Sequence, residues 1–318
     1  MRGFRNFKLA LLGTIAAVTA VASLATLRPA VAQDTAPATA SAPTPAPTTG
    51  PAPAMWVVSD ADTTIYLFGT VHLLPPGLVW RQDQLRAAFD AADTLVKELP
   101  ADPTPEEMAG LMFPAGLYLE GPGLPERIGA EKFAQFKAAM APMGMPDPLL
   151  ERLRPWLAGL FLSVSIMAET GLDPESGVET VIGNWNKEAG KPRLGLETVE
   201  QQIGFFRDMP EEAALATFFT GLDQLGEARA FMDTMVGAWA IGDTATLDRV
   251  MNEAMAPTPE LRAVIFGTRN ARWAEWINAR MDTPGTVLVA VGAGHLVGPD
   301  SVQVFLEQEG HVAERVMP

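Results

Sequence analysis

The sequence predicts an α/β domain with a mixed central β-sheet covered by many helices and with a helical middle section. Two apolar runs, 63–68 and 286–291, have the composition of buried strands, and a glycine ends each of them. Helical spacing of apolar residues over 81–92 precedes a further strand at 94–98. A strand–helix–strand unit normally gives two parallel strands in one sheet. Helix-start signals recur between residues 104 and 259.

The chain opens with a secretory signal. Three basic residues precede an apolar run at 9–27, and Ala-Val-Ala at 30–32 forms a small-x-small cleavage site. We therefore expect residues 1–32 to be removed after Ala32, giving a periplasmic or secreted protein without stable membrane insertion. An uncleaved anchor is the alternative, because the length of the apolar run approaches that of a spanning helix.

Composition separates a linker from one domain. Residues 33–54 are almost entirely Ala, Pro, Thr, Ser and Gly, too few apolar side chains to offset the entropy of ordering, so we expect a disordered linker. Residues 55–318 then form a single domain. The chain has no cysteine, which excludes disulfides, thiolate ligands and a cysteine nucleophile. Its net charge of −15 argues against nucleic acid as a partner.

The N-terminal part of the domain is predicted to be a β-hairpin followed by the strand–helix–strand unit. Apolar runs at 55–58 and 63–68 flank a turn-forming Ser-Asp-Ala-Asp segment, which predicts two antiparallel strands. The helix at 81–92 and the strand at 94–98 follow.

Several helix starts of the middle section carry their own signals. Thr104 begins a capping box with proline at the first helical position, and Asp173-Pro174 and Thr258-Pro259 have the same layout. Residues 149–169 predict a long apolar helix, interrupted at Pro155 and better explained as core than as a membrane span. The remaining predicted elements are a strand at 192–196, a capping box at 198–201, a strand at 286–291, a helix at 299–309 and a strand at 311–316.

Two of the three histidines occupy the same setting. Gly-x-x-His tetrads at 69–72 and 292–295 each follow a buried strand, and Glu98 and Glu197 follow two other strands. Ligands bind beyond the carboxyl ends of strands in open α/β sheets. Imidazoles with carboxylates suit a divalent ion such as Mn, Co, Fe or Zn. A single tetrad is a weak pattern that usually marks a structural histidine, but its duplication favours function. We expect His311 to be structural.

Four ordered segments together resemble the signatures of the TraB/GumN family. They are Tyr66–Leu73, Leu95–Glu98, Gly195–Gln201 and Val291–Gly298, and the match spans 56–318. The resemblance implies a fold like that of the Tiki proteins and the more distant erythromycin esterases. It also implies kinship with the Tiki metalloproteases, which have two Gly-x-x-His motifs and an essential glutamate and depend on manganese or cobalt.

The resemblance assigns roles to the candidate residues. His72 and His295 would be metal ligands, Glu98 a ligand or general base, and Arg269 with Asn270 a pair reaching the site from a helix near 260–281.

Three of the candidates have structural alternatives. Arg269 and Arg272 could both be charged residues facing water. Glu197 is either a second catalytic carboxylate or only an acid favoured by the dipole of the following helix. Glu179 is a weaker candidate.

The function that follows is metal-assisted hydrolysis of a peptide or small ester, with a glutamate moving the proton. Manganese or cobalt is favoured by the resemblance, while zinc or iron would also suit the ligands. A serine hydrolase is disfavoured because the chain has no Gly-x-Ser-x-Gly elbow. The alternative is a non-catalytic periplasmic envelope protein that binds a metal, haem or a peptide.

Overall fold

The computed structural model describes residues 50–255 and 259–317. The predicted signal peptide and most of the predicted linker lie outside the described residues. At the end of that linker, Ala52 and Ala54 are buried against the domain. None of the helices in the described ranges combines the length and apolar character needed to cross a bilayer.

The predicted mixed α/β fold is confirmed. Six strands form one sheet in the order β4-β3-β5-β2-β1-β6. β2, β5, β3 and β4 run parallel, whereas β1 pairs antiparallel with both β2 and β6. The strands are β1 Met55–Ser59, β2 Thr63–Thr70, β3 Thr94–Lys97, β4 Arg193–Gly195, β5 Gly285–Gly292 and β6 Glu314–Arg315.

Helices cover both faces of this sheet and, apart from β4, form the middle section. They are α1 Asp83–Ala91, α2 Pro105–Gly116, α3 Leu124–Ile128, α4 Ala130–Met140, α5 Asp147–Leu150, α6 Pro155–Glu169, α7 Val178–Ala189, α8 Val199–Arg207, α9 Glu211–Asp223, α10 Ala228–Ala240, α11 Thr244–Met255, α12 Pro259–Arg262, α13 Thr268–Met281 and α14 Val302–Gln308. Shorter turns of helix lie at Ala141–Met143, Pro174–Ser176 and Ala293–Leu296, and a π-helical turn spans Ala263–Gly267.

Local signals set several of these boundaries. Both predicted capping boxes form, since the hydroxyls of Thr104 and Thr198 accept hydrogen bonds from the backbone three residues on. Asp173-Pro174, by contrast, starts a single short turn, and α7 begins only at Val178.

The predicted interruption of the apolar helix at 149–169 is confirmed, and it separates two helices, α5 and α6. Pro155 begins α6 instead of kinking it, because proline suits the first helical position, where the missing N–H has no intrahelical partner. The segment between α5 and α6 is held by backbone hydrogen bonds from Tyr118 to Arg152 and from Arg154 to Gly116. Tertiary pairing therefore replaces helix at this point.

The side chains of β2 alternate between two cores. Ile65 and Leu67 face a cluster under α13 and α14, whereas Phe68 faces the larger core built by the middle helices. A sheet covered on both faces leaves its strand ends free for chemistry, and the carboxyl ends of β2, β5 and β3 share one edge.

Candidate functional site

The two Gly-x-x-His segments lie side by side at that edge. β2 and β5 are parallel neighbours with Gly69 opposite Val291 and Thr70 opposite Gly292. A Cβ atom on Gly69 would lie 2.9 Å from the Cα atom of Ala293. The first glycine of one motif thus allows direct contact with the backbone of the other.

A buried guanidinium joins the predicted carboxylates. Arg269 has no exposed surface, and its Nε and Nη2 atoms each donate to Glu197 at 2.8 Å. Nη2 also donates to Glu98 Oε2 at 2.8 Å. Such two-pronged contacts combine charge with strict geometry. The alternative in which Arg269 faces water does not hold for this arginine, whereas Arg272 is exposed.

Further donors complete the hydrogen bonding of both carboxylates. The amide of Gln202 donates to Glu98 Oε2 at 3.1 Å and to Glu197 Oε2 at 3.2 Å. Trp273 Nε1 donates to Glu197 Oε1 at 3.1 Å. Each oxygen of Glu197 therefore accepts two hydrogen bonds. Glu98 Oε1 accepts one, from the backbone N–H of Gly292 at 3.0 Å.

This arrangement keeps Glu98 ionised. Burial alone would raise the pKa of Glu98, but the positive charge of Arg269, together with the two nearby histidines and the hydrogen bond from Gly292, lowers that pKa to about 2. The two carboxylates in turn raise the pKa of Arg269 against the effect of its burial.

His295 is a buried, neutral imidazole with a defined tautomer. Asn270 Nδ2 donates to the Asp300 carbonyl at 2.6 Å, so Asn270 Oδ1 is the atom that faces His295 Nδ1, at 2.6 Å. Nδ1 must then carry the proton, and Nε2 presents its lone pair. Burial and the nearby Arg269 lower the pKa of His295 to about 3. Its Nε2 lies 3.3 Å from Arg269 Nη1 and 3.9 Å from Glu98 Oε1.

His72 forms an ion pair with a residue that the sequence marked only weakly. Its Nδ1 lies 2.9 Å from Glu179 Oε1, without hydrogen-bond geometry, and both side chains are about nine-tenths buried, at 10% and 11% exposure. Burial would lower the pKa of His72, but Glu179 outweighs it and raises that pKa. His72 Nε2 is buried and has no hydrogen-bond partner among the described residues.

The start of α7 explains how Glu179 reaches His72. The backbone N–H of Val178 donates to the Val71 carbonyl at 3.0 Å, and a Cβ atom on Gly177 would collide with the carbonyl of His72. Glycine is therefore required for this close approach, which brings the first turn of α7 against the histidine loop.

The structure thus brings Glu98, Glu197, Arg269, Asn270 and His295 into one hydrogen-bonded network and places His72 at the neighbouring strand end. His311 lies elsewhere, with its ring nitrogen 2.8 Å from Asn278 Oδ1.

Sequence reasoning missed Gln202 and Trp273 as partners of the carboxylates. The signal for Gln202 was available, because a glutamine on the apolar face of α8 is an unusual core residue that requires a buried partner.

The donor atoms fit a divalent ion in their chemistry. Each imidazole has its Nδ1 beside an oxygen, of Glu179 or of Asn270, as in metal-binding histidines that protein groups orient. The Nε2 atom of His72 has no hydrogen-bond partner among the described residues, whereas that of His295 faces Arg269 Nη1 at 3.3 Å. Among the described residues, however, no group of three or more His, Cys, Asp or Glu side chains is spaced to hold an ion. Glu98 is the nearest carboxylate to His295, and it is paired with Arg269.

Comparison with known proteins matches residues 54–315 to the TraB/PrgY/gumN family. An uncharacterized protein of Treponema pallidum (strain Nichols) is 23% identical over 262 residues, 78% of each chain. The uncharacterized protein YbaP of Escherichia coli (strain K12) is 24% identical over 254 residues, 80% of this chain and 92% of YbaP. YbaP of Shigella flexneri matches to the same extent. No solved structure matches the chain. Because the family match covers nearly the whole folded domain, the chain belongs to the TraB/PrgY/gumN family.

Proposed function

We propose that the chain is an exported hydrolase that cleaves a peptide or small ester with the help of a divalent metal ion. One observation carries the proposal. At two adjacent strand ends, two imidazoles have an oxygen beside Nδ1, and an ionised carboxylate, Glu98, lies 3.9 Å from His295 Nε2. His72 Nε2 has no partner among the described residues, and an ion at His295 Nε2 would replace its 3.3 Å contact with Arg269 Nη1.

His72, His295 and Glu98 are the residues that would hold the ion. When bound, a divalent ion lowers the pKa of a water molecule and polarises the scissile carbonyl. Manganese or cobalt is favoured by the family, and zinc or iron would also suit nitrogen and oxygen ligands.

The hydrogen bonds separate the roles of the two glutamates. Both oxygens of Glu197 are saturated by Arg269, Gln202 and Trp273, so a proton on Glu197 would displace a donor. Glu197 is therefore a positioning residue that holds Arg269. Glu98 Oε1 has an unused lone pair on the side of His295 and is the oxygen that can bind an ion or accept a proton.

Arg269 and Asn270 act through these groups. Arg269 keeps Glu98 anionic and in place, and Asn270 holds the tautomer of His295 in which Nε2 presents its lone pair. Neither role requires direct contact with the substrate.

Calorimetric titration with Mn²⁺ or Co²⁺ and cleavage of a peptide library, on the same preparations, test the proposal. We expect His72→Ala and His295→Ala each to abolish metal binding, because each removes a ligand from a site with few ligands. Glu98→Gln should retain part of the binding and lose cleavage, because an amide oxygen cannot accept a proton at neutral pH. His311→Ala, outside the network, is the control and should behave like the parent protein.

Two results would overturn the proposal in different ways. Metal affinity unchanged in both histidine variants would place the site elsewhere. Metal, haem or peptide binding without any turnover would support the alternative of a non-catalytic envelope protein.

Export is tested separately by the intact mass of the protein from the envelope fraction. A chain starting at Gln33 is the expected result, and a chain that retains Met1 would indicate an uncleaved anchor.

A further inference from the structure

A cavity lined by methionines adjoins the first histidine motif. Its apolar wall consists of four buried methionines from three helices: Met167 of α6, Met232 and Met235 of α10, and Met251 of α11. Thr70 and His72 from the end of β2 form the other wall, together with Ala293 and Gly294 of the second motif. The cavity therefore joins the helical section to both strand ends.

The polar end of the cavity points to a ligand. His72, whose Nε2 is buried without a hydrogen-bond partner among the described residues, is part of the lining. A Cβ atom on Gly294 would collide with the terminal methyl of Met251, so glycine at this position lets the apolar wall reach the second motif. An apolar cavity with one convergent polar group is the usual form of a small-molecule site.

The cavity volume is about 30 Å³, less than a leucine side chain requires, so the flexible methionine side chains must move to admit one. We propose that this methionine cavity is the subsite that holds an aliphatic side chain, of leucine or methionine size, next to the scissile carbonyl of the substrate. The inference rests on the proposed hydrolase function and names the substrate class. A charged side chain is disfavoured, because the one ionisable residue of the lining, His72, is already paired with Glu179 and an unpaired buried charge is strongly unfavourable.

The methionine side chains also determine which ligand shapes the cavity can accept. The unbranched, polarisable side chain of methionine adapts to ligands of different shape, so four methionines on three helices form a wall that can accept linear and branched aliphatic groups. We therefore expect a preference for a class of side chain and not for one residue.

Binding can be measured without turnover by NMR of protein labelled with ¹³C in the methionine methyl groups. Signals are assigned by single Met→Leu substitutions, and the protein is titrated with N-acetyl-leucine amide, N-acetyl-methionine amide and N-acetyl-aspartate amide. Saturable shifts of the Met167, Met232, Met235 and Met251 signals with the first two amides are the expected result. The signal of Met281, buried in the other core, should not move.

The titration can overturn the inference whether or not the protein is an enzyme. Unmoved cavity methyls at saturating leucine amide, or equal shifts with the aspartate amide, would refute the subsite even if peptides are cleaved. Saturable, aliphatic-selective shifts in a protein that cleaves no peptide would support the subsite and refute the hydrolase function alone.

Substitution of the wall provides a second test. Met235→Ala should weaken leucine-amide binding roughly 10-fold, in the range that methylene-sized differences produce in apolar pockets. Met281→Ala is the matched control, since it removes an equally buried methionine far from the cavity and should leave the affinity unchanged. If Met235→Ala does not fold, Met235→Val makes the same comparison with a smaller volume change. Unchanged affinity in the folded cavity variant would contradict the proposal.

Discussion

Replacing Arg269 by methionine removes the guanidinium that lies between Glu98 and Glu197. The new side chain has a similar length and no charge, so both buried carboxylates lose their cation, while Gln202 keeps its hydrogen bonds to them. The perturbation therefore tests whether the centre of the site is held together by charge.

The expected cost is large. Breaking a buried ion pair by removing one partner costs about 3–5 kcal/mol. For a domain of this size that corresponds to a fall in Tm of roughly 6–20 °C at neutral pH. Arg272→Met, on the exposed side of the same helix, is the control and should change the free energy of unfolding by less than about 0.5 kcal/mol.

The sign of the pH dependence should reverse. In the parent protein the pKa of Glu98 is lowered to about 2, so its contribution to stability is present above its unfolded pKa and is lost as the pH falls towards 2. Without Arg269, burial is the largest effect on the pKa of Glu98 and raises it. The deficit of Arg269→Met relative to the parent protein should therefore be smallest at the acid end of the measured range and grow as the pH rises.

Thermal and urea unfolding between pH 4 and 8 measure both effects. The double variant Arg269→Met/Glu197→Gln should recover about 1–3 kcal/mol at neutral pH, because one of the two unpaired charges is removed. A variant with the Tm of the parent protein at pH 7, or with a deficit that does not grow from pH 5 to 8, would refute this account of the network.

Three further changes test other parts of the structure. Gly69→Ala should lower the free energy of unfolding in urea by about 1–3 kcal/mol, because the new methyl group meets the backbone of Ala293. Gly294→Ala should cost less, because the methyl of Met251 can move. Equal costs would contradict the close contact of the two motifs. Asn270→Ala removes the oxygen that accepts from His295 Nδ1, so ¹⁵N NMR should show a smaller share of the Nδ1-protonated tautomer than in the parent protein. An unchanged tautomer ratio would refute the role of Asn270. Hydrogen bonds from Arg193 lower the pKa of Asp102, so the stability that the ionised carboxylate provides is present above about pH 4 and lost below it. Asp102→Asn should therefore flatten the loss of Tm between about pH 4 and 2. An unchanged slope would show that this pair is not coupled to folding.

Much of the fold was predictable because its signals are local. Apolar runs on either side of a turn-forming segment marked β1 and β2, and the capping boxes at Thr104 and Thr198 marked the starts of α2 and α8. The position of the motifs at strand ends also followed from the sequence, since a glycine after a buried apolar run marks the end of the strand.

Pro155 marked the interruption between α5 and α6, because a proline disfavours helix at the residue before it. The extent of the break was not predictable in the same way. Backbone pairing of residues 152 and 154 with residues 116 and 118 accompanies the end of helix already at Leu150.

The sequence by itself determined the fold class, the strands and the candidate histidines, because periodicity and turn chemistry act over a few residues. Only the tertiary structure decided which side chains meet. Arg269 and Glu197 are 72 residues apart, and whether that arginine faces water or a buried carboxylate depends on how α13 packs against the sheet. Likewise, Glu179 reaches His72 because the backbone at Gly177 approaches the histidine loop. Such contacts are set by the packing of distant segments, and a single sequence contains no local signal for them.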